Sequence, residues 1–265
     1  MNPSHSMPDT GEPAVTIQRV AEGQWHAVAD DRTVGRGHAS HRPDGRIFVS
    51  ADAWHPAVFD RLAEAMAADL PRPLHTVVDE ADLDLTCQWE RAGFAARRRE
   101  WEYLLPTDPR ETGLGSAPTP AGVTIVPFGE AEEGPLRTLD RVIRDEVEAT
   151  VGWREMPAEV LPGPLDPIPL DPTRYAAAER SGAYVGLVRV AALTRQPRIG
   201  LIAVRSDARR QGIGRAMLAQ VLGALHARGA GTASAEVNES NVAAMALVEG
   251  VGARRTGSNL ELVLR

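Results

Sequence analysis

The stretch that most constrains the fold is Leu201-Ile202-Ala203-Val204-Arg205-Ser206-Asp207-Ala208-Arg209-Arg210-Gln211-Gly212-Ile213-Gly214-Arg215-Ala216. Four apolar residues predict a buried strand, a polar turn follows, and two glycines open a helix. Ile213, Met217, Val221 and Leu225 recur every fourth residue beside Leu218 and Leu222, and the helix stops at Arg228-Gly229. Gly212 and Gly214 leave backbone N–H groups uncovered where the helix dipole is positive, and Arg209, Arg210 and Arg215 add charge around them. An anion such as a pyrophosphate is the natural guest of that helix end.

Two common phosphate loops do not fit. A Walker loop needs a lysine, and the chain has none. A dinucleotide fingerprint needs a third small residue where Met217 stands. Arg-x-x-Gly-x-Gly, here Arg209 to Gly214, resembles the acyl-CoA loop of the GNAT superfamily of N-acetyltransferases. The alternative is an ordinary strand–turn–helix whose glycines serve tight packing. Downstream, a strand at Thr232 to Val237 runs into Asn238-Glu239-Ser240-Asn241, a short helix from Val242 to Val248, Gly252, and a final strand from Leu260 to Leu264. This order is similar to that superfamily, in which an asparagine at the place of Asn241 helps hold the pantetheine arm. Helix capping is the plainer role for the same residue.

The chain of 265 residues is long enough for two domains, and no run approaches the ~18 residues of a membrane span. The polar, proline-punctuated start reads as a loose tail with no signal-peptide core. A lone cysteine, Cys87, fits a cytoplasmic protein. A net charge of −7 argues against nucleic acid as the main partner. His38 and His41 have no spaced partner for a metal, so none is expected.

Before the glycine loop the chain predicts strands at 14–20, 25–29, 33–39 and 46–50, and a helix at 56–69 with Val58, Leu62 and Met66 four apart. A strand at 75–78, a helix at 83–92 and a strand to Leu105 complete this part. Residues 107–121, rich in Pro, Gly and polar side chains, read as a linker. The order of elements then begins again. With Gly93 set on Gly252, 159 positions on, Asp79 falls on Asn238, Asp82 on Asn241 and Glu90 on Glu249. We read a duplication: a degenerate copy at 14–106 and a complete one at 122–265. Each is a mixed α/β domain with a mostly antiparallel central sheet flanked by helices. The first copy has Trp54 and no glycine loop, and it lacks the helix expected at 134–148 in the second. A structural role follows for it.

The resemblance implies an acetyl-CoA-dependent N-acetyltransferase acting by direct attack of a primary amine. Acetyl-CoA would lie on Gln211, Gly212, Ile213, Gly214 and Arg215, aided by Arg209 and Arg210. Its pantetheine would run beside Val204, Asn238 and Asn241, with a backbone N–H near Ala203 or Val204 polarising the thioester. Many relatives carry an acidic tyrosine where this chain has Val248. Water, Ser240 or the long loop would protonate the thiolate instead. Glu236 is the first candidate base and Glu148 the second. The long loop from Val151 to Asp171 carries Trp153 and Glu155 as candidate acceptor contacts, an acid-plus-aromatic wall fit for a small cationic amine. Open alternatives are a protein amine, a larger acyl group, or a non-catalytic acyl-CoA sensor. A monomer is expected.

Overall fold

The structure, a computed structural model, describes residues 15–42, 44–114, 119–152, 155–156, 170–192 and 195–265. They form two compact units, one of residues 1–97 with 261–265 and one of residues 98–260.

In the first unit the strands are β1 (Thr16–Ala21), β2 (Gln24–Ala29), β3 (Arg32–His41), β4 (Ile47–Ala53) and β5 (Leu74–Asp79). They lie side by side in that order. Asp30 and Asp31, both at positive φ, make the two-residue turn between β2 and β3. Helix α1 (Pro56–Asp69) buries Val58, Phe59, Leu62, Ala63 and Met66, the stripe its four-residue spacing predicts. Helix α2 (Leu83–Arg91) adds Trp89, whose ring meets Phe59 and Phe94 edge-on at 4.8 Å each. The terminal residues join this unit through buried Glu261. Its Oε1 lies 2.8 Å from His75 Nδ1 and accepts from Arg97 Nη1 at 2.8 Å.

The second unit holds most of β6 (Ala95–Pro106) and then α3 (Pro109–Thr112), β7 (Thr124–Val126), α4 (Glu133–Thr150), β8 (Tyr175–Arg180) and β9 (Ala183–Ala192). β10 (Arg198–Val204), α5 (Ile213–Ala227), β11 (Thr232–Asn238), α6 (Val242–Glu249) and β12 (Arg254–Leu264) follow. Strand order is β12-β6-β11-β10-β9-β8-β7. β10 and β11 are parallel, whereas β6–β11, β7–β8, β8–β9 and β9–β10 are antiparallel.

Helix α5 packs Ile213, Met217, Leu218, Val221, Leu222 and Leu225 against one face, over Ala233, Ala235 and Val237. Each such side chain contributes on the order of 1.5–3 kcal/mol. Helix α4 covers the other face with Leu136, Leu139 and Ile143, over Tyr175, Ala177 and Leu187. Within the stretch read as a linker, α3 forms one helical turn, and Thr107 and Leu114 are buried. Thr107 N–H donates to Gly231 O at 3.3 Å, which ties that turn to the domain. The last strand begins at Arg254, earlier than the apolar residues alone mark.

Candidate active site

β10 and β11 start together and then part. Their register holds only at Arg198↔Ser234 and Ile199↔Ala235. β11 continues on β6 to Asn238↔Glu100, and β10 continues on β9 to Val204↔Gly186. The parting falls where the β9–β10 ladder is irregular: the pairing passes over Ala191 between Arg198 and Ile199 and over Gly200 between Ile199 and Leu201, and the register resumes at Leu201↔Arg189. Arg205 N–H donates to Val185 O on β9 at 2.9 Å. By strand alternation the peptide groups of Leu201 and Ala203 also face β9, and those of Ile202 and Val204 face the gap. Of the two N–H groups expected near a thioester, that of Val204 points into the opening and that of Ala203 does not.

Beside this gap stands the N-terminus of α5. Gly212 caps it at φ +81° with no side-chain hydrogen bond, and the first intrahelical bond runs from Ala216 N–H to Gly212 O at 3.0 Å. The N–H groups of Ile213, Gly214 and Arg215 therefore have no acceptor within the helix. A Cβ on Gly214 would meet Leu247 Cδ2 at 3.6 Å and Val204 Cγ2 at 3.9 Å, both ordinary contacts. Packing does not demand a glycine here, and its effect is to leave the helix end bare. Gly212, by contrast, is needed for its left-handed backbone.

Ile213 is buried in the core and offers only its N–H outward. Arg210 sits at φ +64° with an exposed side chain. Gln211 Oε1 accepts from Arg180 Nη2 at 2.6 Å, and Arg215 Nη1 donates to Gly250 O at 3.3 Å, at the end of α6. Arg209 donates from Nε to Val204 O at 3.0 Å and pairs with Glu146 at 3.1 Å.

Asn238 Oδ1 accepts Ser240 N–H and Oγ–H, both at 2.8 Å, which makes a tight turn. Asn241 Oδ1 caps α6 through Ala244 N–H at 3.1 Å. Each side-chain amide keeps its N–H₂ for another partner. Glu236 lies on the α4 face of β11, half-exposed, and pairs with Arg198 at 3.2 Å. Glu148 is exposed in the last turn of α4. Glu155 O accepts from Arg98 Nη1 at 2.9 Å, while Trp153 lies outside the described residues. Arg209 and Gly214, with Gly212 beside it, thus lie in one locale with Val204.

No tyrosine stands on α6, and Val248 is buried in the core. The three tyrosines of the chain are engaged elsewhere. Tyr103 OH donates to Glu249 at 2.8 Å and accepts from Arg255 Nε at 2.9 Å. Tyr184 OH accepts Glu132 N–H at 3.2 Å. Burial pushes the ionisation of Tyr175 up, against the opposing charge of Arg189, as burial does for Tyr103. Glu146 escaped the sequence reading, although its helical phase with Leu139 and Ile143 placed it toward the sheet. Among the described residues no group of three His, Cys, Asp or Glu could hold a metal, and no helix is long and apolar enough to cross a membrane.

Residues 144–253 match the family model described as Acetyltransferase (GNAT) family. No curated protein matches. Among solved structures, a GCN5-related N-acetyltransferase from Sphaerobacter thermophilus is similar over 93% of this chain and 82% of its own, at 19% identity and TM-score 0.64. A tandem GNAT protein from the clavulanic acid biosynthesis pathway covers 95% of this chain and 83% of its own, at 16% identity and TM-score 0.61. A GNAT-family acetyltransferase from Colwellia psychrerythraea covers 91% and 85%, at 13% identity and TM-score 0.60. At such identities the likeness is one of fold, and it extends over both halves of the chain.

Proposed function

We propose that this acyltransferase, whose second unit carries a GNAT acetyltransferase domain, moves an acetyl group from acetyl-CoA to a small cationic primary amine. The observation that carries the reading is the bare N-terminus of α5 beside the open edge of β10. When bound, acetyl-CoA supplies the activated acyl group. The N–H groups of Gly212 to Arg215 bind its pyrophosphate, with Arg209, Arg210 and Gln211 around them. Ile202 and Val204 offer the peptide groups of a free strand edge to the pantetheine arm, and Asn238 and Asn241 the amides opposite. The N–H of Val204, or that of Ile202, acts as the donor to the carbonyl oxygen as charge develops there.

Glu236 takes the proton of the attacking amine, directly or through water, and shares its carboxylate with Arg198. Glu148 and Glu155 belong to the acceptor side in this reading. Among the described residues of the first unit both helices start at side-chain caps, His55 and Asp82, and in this reading the unit serves as a structural copy. The protein works as a cytoplasmic monomer in this reading. Val248, buried where an acid would help the thiolate leave, favours a second reading, an acyl-CoA sensor without turnover.

Calorimetric titration of CoA and acetyl-CoA, followed by thiol release with polyamines, amino sugars and aminoglycosides, separates these readings. Binding at one site per chain with thiol release supports the enzyme, and binding alone supports the sensor. Absence of binding sinks both. In the same assay Glu236→Gln lowers the rate by roughly a hundredfold and removes the acidic limb of its pH profile, the side on which a base gains its proton. An unaltered profile rejects Glu236 as the base.

A further inference from the structure

Ile143 and Leu139 turn α4 toward the sheet, and Glu146 follows on the same stripe with its side chain only 21% exposed. Both its oxygens accept Ser206 N–H at 3.0 Å, and Oε1 also accepts Ser206 Oγ–H at 2.9 Å. Oε2 accepts from Arg209 Nη2 at 3.1 Å, while Arg209 Nε is held on Val204 O. Ser206 opens the 3₁₀ turn Ser206–Ala208 and Arg209 closes it. One carboxylate thus grips both ends of the turn that leads from β10 into α5, and reaches the gap edge through Arg209.

An anion here carries an electrostatic cost, because the adjoining helix end is built to receive an anion. A negative charge at that distance weakens the guest's binding unless its geometric contribution outweighs the repulsion. Charge-assisted hydrogen bonds to three donors of one short turn supply that contribution, since the loop is ordered before the guest arrives.

We propose that Glu146 is the positioning residue of the phosphate loop, so that affinity for the acyl carrier is set from α4, the helix on the opposite face of the sheet. The inference rests on the cofactor reading above. It is tested on the full chain by titrating CoA into wild type, Glu146→Gln, Arg209→Gln and the double variant. Amide hydrogen exchange over residues 205–211 is followed without ligand. Glu146→Gln is expected to speed that exchange and to weaken CoA about tenfold or more. Glu146→Asp, which keeps the charge at shorter reach, should fall between. Arg209→Gln added to Glu146→Gln should cost far less than Arg209→Gln alone, because the two act as one unit. The KM for acetyl-CoA should rise by a larger factor than kcat falls. Wild-type binding with an indifferent or tighter Glu146→Gln overturns this inference alone. A wild type that binds no CoA overturns the cofactor reading beneath it.

Discussion

The two halves of the chain share their joints and differ in what stands between them. At the offset of 159 the same hydrogen bonds recur. Asp79 Oδ1 accepts Ala81 N–H at 2.9 Å, as Asn238 accepts that of Ser240 at 2.8 Å. Asp82 caps α2 through Leu85 N–H at 3.0 Å, as Asn241 caps α6 through Ala244 N–H at 3.1 Å. Gly93 and Gly252 stop those helices at φ +90° and +82°. Even the parting of strands is repeated, since β4 and β5 are in register only at Ile47↔Leu74 and Phe48↔His75. The helix that follows the gap is where they diverge. His55 Nδ1 accepts Ala57 N–H at 3.3 Å at the start of α1, and Pro56 has no N–H to offer. The start of α5 is capped by glycine alone. Caps and gap therefore belong to the fold, and the helix end without a side-chain cap is what sets the second half apart.

The sharpest way to break this comparison is to close the bare end of α5. Gly214→Glu should abolish CoA binding, lowering affinity more than a hundredfold, by placing a carboxylate where the phosphates go. Folding should not suffer. The Cβ meets only ordinary contacts, glutamate is a better helix former than glycine by roughly 0.5–1 kcal/mol, and an acid suits the first turn. Gly214→Ala should bind nearly as wild type. Calorimetry and thermal melting on the pair decide it, and loss of binding in the alanine variant would mean that occlusion, not charge, governs the site.

A smaller effect tests the asparagines. Asn241→Asp copies Asp82 of the first half. Aspartate caps a helix as well as asparagine, so melting should be unchanged. An added negative charge near the carrier's path should weaken CoA about five- to tenfold, roughly 1 kcal/mol. An unchanged affinity in this variant would reduce Asn241 to a cap and remove one of the differences between the halves.

Much of this was legible because it is local. The α1 stripe, the α6 cap and the stop at Gly252 each depend on residues within a turn of one another. Local spacing could not show that Arg198 pairs with Glu236, because the strand register brings together residues distant in sequence. Nor could it show the first half of β12. Arg254, Arg255 and Thr256 carry no apolar alternation, and partners such as Tyr103 for Arg255 and Glu102 for Asn259 stand on β6. The stretch after Pro106 misled for a related reason. Its prolines and glycines are linker-like, yet Leu114 finds a core that only the tertiary fold supplies. Glu146 was the opposite case, visible in helical phase but overlooked beside the more exposed Glu148.

The least of the expected effects concerns the matched acids Glu90 and Glu249. Tyr103 OH and then Arg255 hold the Glu249 carboxyl below its ordinary range, and Arg255 also lies over the Trp101 ring at 4.7 Å. A carboxyl depressed in the folded state contributes stability that is present above its unfolded pKa and is lost as pH falls through the folded value. Wild type should therefore melt above Glu249→Gln at neutral pH, with the gap narrowing on acidification and closing below the folded value. The group is exposed, so the difference is modest and shrinks in salt. Glu90→Gln, at an exposed position, should give a smaller difference at neutral pH. Melting curves of both variants across the acidic range measure it. A gap for Glu249→Gln that stays constant with pH would mean that the tyrosine–carboxylate–arginine set stabilises α6 by packing rather than by charge, leaving the two halves alike at this joint.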